Sequence, residues 1–149
     1  MFFSKVLVFL ISFWFGAYIL AGYGVAPLLF QQLPQQQAGY LAGVLFDAAN
    51  YGGLLVWGLV YLAGRSAQRH QYERSHTGKI VAFMWLLLAV SQFLITPVIK
   101  ALREQQTYWL HDWVGGSFAA WHGTSSSIYL LVSLIALFLL LRLLKFEWR

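Results

Sequence analysis

Cysteine is absent from all 149 residues, which removes disulfides, thiolate metal sites and cysteine nucleophiles together. Methionine is nearly as scarce, with only Met1 and Met84, so the soft ligands that copper handling favours are missing too. Charge is thin: 10% of residues are Asp, Glu, Lys or Arg, with five acids against ten bases. What fills the space is apolar. Hydrophobic residues make up 60% of the chain, and the mean hydropathy is +0.64. A soluble domain of this length could not cover so much apolar surface, so the class is a single-domain integral membrane protein with the lipid bilayer as its first partner. The net charge of +5 would suit nucleic acid, but the bases sit at the ends of apolar runs, as membrane orientation requires. No nucleic-acid partner is expected.

Four apolar runs, at about residues 6–26, 41–63, 80–99 and 118–141, are each long enough to cross a hydrocarbon core of about 30 Å. The first exceeds the roughly 7–15 residues of a signal-peptide core, so a retained helix is expected rather than a cleaved leader. Pro27 and Pro34 are expected to end that helix and start an uncharged, glutamine-rich turn. Ala17, Ala21, Gly22 and Gly24 leave one side of it thin, and Gly39, Gly43, Ala48 and Gly52 give the second run small-xxx-small spacing for close packing. Residues Arg65–Lys79 read as a polar loop in which His70 and His76 are solvated rather than metal ligands. Lys100 to Gly116 reads as a second polar connection, with Trp109 and Trp113 suited to an interface belt.

Four spans place both termini and the middle loop on one side. That side holds Lys5, Arg65, Arg69, Arg74, Lys79, Arg142, Lys145 and Arg149, eight of the ten bases, against Lys100 and Arg103 on the other. The positive-inside rule then predicts an all-α, up-down-up-down four-helix bundle of the bacterial inner membrane with both termini cytoplasmic.

Polar residues inside the spans carry the functional question. In Trp121-His-Gly-Thr-Ser-Ser-Ser-Ile-Tyr129, the residues His122, Ser125, Ser126 and Tyr129 fall at i, i+3, i+4 and i+7 and share a helix face. Asp47, Asn50 and Tyr51 share another, and Gln92 and Thr96 lie one turn apart. At about 1.5 Å per residue, Asp47 lies roughly 7 Å and His122 roughly 11 Å outward from the middle of their runs. The inner halves hold little that is polar, so an outward-facing pocket fits better than a pore. Candidate ligand-binding residues are Asp47, Asn50, Gln92, Thr96, His122, Ser125 and Ser126. Asp47 needs a partner in hydrocarbon: His122 is the in-span choice, with Lys100 and Arg103 as packing alternatives. Serines bonded to their own i−4 carbonyl would be structural only.

The blocks Ala26-Pro-Leu-Leu-Phe30, Ala38-Gly-Tyr-Leu-Ala-Gly-Val-Leu-Phe46 with Tyr51, Thr96-Pro-Val-Ile-Lys-Ala-Leu-Arg103 and Trp121-His-Gly-Thr-Ser125 resemble, in order, a bacterial membrane family of unknown function. That family is related to eukaryotic transmembrane protein two-zero-five. The resemblance implies a four-span membrane protein without settled biochemistry. Three functions are weighed: binding or transport of a small polar molecule or cation, by a monomer or a homo-oligomer; a redox or haem protein using His122; and an accessory subunit held to a membrane partner. No catalytic residue and no resident metal or other cofactor is assigned.

Overall fold

The structure, a computed structural model, describes the backbone of residues 2–67 and 76–147 and the side chains of 5–64 and 77–142. His70, Arg69 and Arg74 lie outside the described residues. Every regular element among those described is helical: α1 (Phe2–Ile19), α2 (Ala26–Gln32), α3 (Gln35–Ala67), α4 (His76–Val90), α5 (Thr96–Arg103), α6 (Trp109–Val114) and α7 (Phe118–Glu147). Two π-helical segments, Leu20–Val25 and Ser91–Ile95, join α1 to α2 and α4 to α5 without a break.

Four stretches are long and apolar enough to cross a membrane: Lys5–Gln32, Gln35–Gly64, Thr77–Arg103 and Phe118–Arg142. The first and second, second and third, third and fourth, and fourth and first of these pack on one another. Large apolar side chains such as Phe9, Phe13, Leu55, Leu62 and Leu134 point away from the bundle and stay exposed. An apolar surface this extensive is suited to lipid, not water. The chain is a multi-pass membrane protein.

The prolines act differently from the sequence expectation. Pro27 does not end the first helix; it sits in the first turn of α2, and the helical path runs on to Gln32. Pro97 likewise sits at the start of α5, and the third helix continues to Arg103. A proline inside a helix has no N–H to donate and its ring clashes with the i−4 carbonyl. Those carbonyls belong to Tyr23 and Phe93, and both fall inside the π segments. The helix takes up one extra residue, widens locally and carries on. Only Pro34 coincides with a break, between α2 and α3. The expected polar loop is also shorter at its described ends, because α3 runs through Arg65 to Ala67 and α4 begins at His76.

The core fills one half of the bundle. Ile11, Trp14, Tyr18, Val56, Trp57, Met84, Leu88, Val132, Ala136 and Leu139 form one buried cluster drawn from all four spans. Trp14 and Trp57 meet edge to face at 5.9 Å, an arrangement that suits their ring quadrupoles. Two indoles are anchored on the second span: Trp14 Nε1 donates to the Ala49 carbonyl at 2.8 Å and Trp85 Nε1 to that of Leu54 at 3.0 Å. Glycine makes room for them. A side chain at Gly53 would press on the Trp14 ring at 2.8 Å and on Leu88 at 3.0 Å. Ala48 and Ala17, in contrast, are exposed and take no part in the packing expected of them.

Candidate functional site

The second and third spans are tied by a chain of polar side chains. Lys100 Nζ lies 2.5 Å from Asp47 Oδ2; Gln92 Nε2 donates to Asp47 Oδ1 at 3.0 Å; Asn50 Nδ2 donates to Gln92 Oε1 at 3.1 Å. A carboxylate only accepts, so Gln92 must turn its amide N–H₂ toward Asp47 and its oxygen toward Asn50. Asn50 must then present its own N–H₂. The order of donors is set from the charged end inward, and it leaves Asn50 Oδ1 buried with no hydrogen-bond partner among the described residues. Ser91 and Gln92 are buried in the π segment, which turns the helix so that Gln92 and Lys100 both reach Asp47.

The expected partnership of Asp47 with His122 is therefore replaced. Both carboxylate oxygens are engaged by the third span, by Lys100 and Gln92. His122 is exposed and stacks on Phe118 at 5.9 Å, one turn back on its own helix. The sequence reading ended the third span near residue 99, which left Lys100 in a loop. The helix continues through it, and Lys100 points back to the bundle.

Beside this network lies a cavity of about 790 Å³, bordered by all four spans at the end of the bundle that carries the 33–34 break and the 104–117 connection. Asn50, Thr96, His122, Ser125 and Ser126 line it. Asp47 and Gln92 do not, and sit behind Asn50 and Lys100 instead. Lys100 and Arg103 line it as well, and among the described residues no Asp or Glu does. Its apolar wall includes Phe30, Phe46, Phe118, Tyr23 and Tyr129. Tyr129 lies flat on Tyr18 at 3.9 Å and donates its hydroxyl to the Tyr18 carbonyl, while Phe46 meets it edge-on at 5.3 Å. Gly22 permits this approach, since a side chain there would overlap the Tyr129 ring.

The hydroxyls of the fourth span divide by partner. Thr124, Ser126, Ser127 and Ser133 each donate to the carbonyl four residues back, at 2.8–3.0 Å. Ser125 makes no such bond and faces the cavity half-buried, as does Thr96 on the third span. Lys100 and Arg103 were not among the candidate ligand residues. Their signal was present all the same: Gln92, Thr96, Lys100 and Arg103 follow one another at four, four and three residues, the spacing of a single helix face.

Residues 9–107 match the model of a family described as a domain of unknown function, DUF4149. The chain belongs to this family. The DUF4149 stretch contains Asp47, Asn50, Gln92, Thr96, Lys100 and Arg103, whereas His122 and the serines of the fourth span lie beyond it. The chain is also similar to an uncharacterized protein of Aquifex aeolicus (strain VF5), 28% identical over 138 residues that cover 90% of this chain and 91% of that protein. No solved structure matches it. Chemically, the cavity presents cationic and hydroxyl donors beside an aromatic wall.

Proposed function

We propose that this chain binds a small polar molecule in the cavity, in a bacterial inner membrane, with the cavity opening to the outer face. The observation that carries this reading is a cavity of about 790 Å³ into which Thr96 and Ser125 present hydroxyls that meet no partner among the described residues. That volume lies within the range of small-molecule sites, about 300–1,000 Å³. Polar groups left unpaired in a membrane protein cost free energy unless water or a ligand meets them. Of the two ligand classes weighed from the sequence, the lining favours a polar molecule over a cation, because Lys100 and Arg103 border the space and no Asp or Glu is among the described lining residues.

The outward opening rests on an up-down-up-down topology with both termini and residues 65–79 cytoplasmic, supported by the eight-to-two division of basic residues. Relationship to eukaryotic transmembrane protein two-zero-five belongs to the same proposal, carried by the four ordered sequence blocks. Native mass spectrometry of the protein released from neutral detergent tests the binding reading. A non-protein adduct that Ser125→Trp abolishes, without lowering the melting temperature, is the expected result. Identical spectra for the parent and the variant contradict it.

An accessory-subunit role has its own support: Asp47, the charged residue deepest in the sequence pattern, is fully occupied in holding the second and third spans together. The haem alternative rests on His122, the one imidazole among the residues described around the cavity. A Soret band in the purified protein would favour it.

A further inference from the structure

Arg103 borders the cavity half-buried, and among the described residues no carboxylate, carbonyl or side-chain acceptor meets its guanidinium. Lys100, one turn away, is matched by Asp47. The two cations therefore differ: one is neutralised by the fold and the other is not. The free guanidinium also lies close against the second span. It lies over Gly39 and Gly43 of α3, where added side chains would come within 3.6 Å of Arg103 Cζ and 3.4 Å of its terminal nitrogen. Those glycines form a shallow trough in which the planar group rests, with its N–H donors available to the cavity.

A half-buried, unpaired guanidinium at the end of a membrane bundle calls for a counter-charge. Its rigid fork suits a phosphate or carboxylate, which it binds with two parallel hydrogen bonds. Thr96 and Ser125 add hydroxyl donors nearby, and Lys100 adds positive potential. The rest of the cavity is out of proportion to a bare oxyanion. Phe30, Phe46 and Phe118 form an apolar wall, and Phe30 and Phe118 remain 47% and 42% exposed on the flank of the bundle.

We propose that the ligand is an amphiphilic anion, with a phosphate or carboxylate headgroup on Arg103 and an apolar body along the aromatic wall. This deepens the binding reading and rests on it. The shared chemistry covers a membrane lipid and a soluble amphiphile alike.

The test is isothermal titration of the full chain in neutral detergent with three probes: dihexanoylphosphatidic acid, dihexanoylphosphatidylcholine and inorganic phosphate. The phosphatidic acid is expected to bind, and the zwitterionic phosphatidylcholine and bare phosphate to bind about tenfold or more weakly. Arg103→Gln should remove that preference, whereas Arg103→Lys, which keeps the charge, should retain part of it. Nanodiscs rich in anionic lipid, compared with nanodiscs of neutral lipid, separate the sources: competition by the bilayer itself identifies a membrane lipid, and its absence a soluble amphiphile. Equal binding of both lipids, blocked by Ser125→Trp, overturns the anion while leaving the pocket. Phosphate binding as tightly as phosphatidic acid overturns the amphiphile. Failure of every probe together with an adduct-free mass spectrum removes both this inference and the binding reading.

Discussion

Lys100 Nζ and Asp47 Oδ2 lie 2.5 Å apart, joining the third span to the second, and Gln92 and Asn50 take their orientations from that pair. The Lys100 side chain is 46% exposed and that of Asp47 23%, so the pair belongs to neither the surface class nor the buried one. Breaking it by Lys100→Gln should cost between the roughly 0–1 kcal/mol of exposed pairs and the roughly 3–5 kcal/mol of buried ones. Asp47→Asn should cost a similar amount, and the double variant less than the sum. His122→Ala should leave the melting temperature close to that of the parent. Thermal unfolding in detergent checks all four, and a His122 effect as large as that of Lys100 would contradict the assignment.

Glycines of the spans should separate by what stands over them. Gly53→Ala drives a methyl into Trp14 and Leu88, so a loss of about 1–3 kcal/mol is expected from overpacking. Gly16 has nothing within 4 Å, and Gly16→Ala should be neutral or gain up to about 1 kcal/mol of helix propensity. Gly52→Leu should fall on the destabilising side, since Trp14 lies 3.4 Å from the added atom. Denaturation of the three variants in one detergent gives the ranking.

The π segment at Ser91–Ile95 holds one residue more than an α-helix would use, and each residue turns the chain by about 100°. Deleting the exposed Leu94 should let the segment close into α-helix, with the flanking helices still formed. Deleting Leu86, also exposed but inside α4, should shift the phase of everything after it. The first deletion is therefore expected to express and melt nearer to the parent than the second. Equal loss in both would mean that the extra residue is not accommodated as described.

Much of the fold was legible because span length and hydropathy are dictated by the bilayer, and the four stretches follow from that constraint alone. The shared face of His122, Ser125, Ser126 and Tyr129 was legible for the same kind of reason, since 3.6-residue periodicity is local; all four line the cavity. Pro27 and Pro97 were harder. A proline in sequence announces a lost hydrogen bond, but whether the helix stops or widens into a π turn depends on what packs around it. Lys100 shows the consequence: with the helix expected to end near residue 99, its charge was counted toward topology, and His122 took its place beside Asp47. The unpaired guanidinium of Arg103 was not legible either. Its state depends on Gly39 and Gly43 lying opposite, and no spacing along one helix reports what faces it on another.

The most direct measurement uses the absence of cysteine. Thr96→Cys, Ser125→Cys and Leu134→Cys are made one at a time and treated in intact cells with a membrane-impermeant thiol reagent. A water-accessible cavity open to the outer face predicts labelling at residues 96 and 125 and none at Leu134, which is 56% exposed but on the apolar flank of the fourth span. Residues 96 and 125 as inert as 134, or labelled only after the cells are opened, would contradict the account.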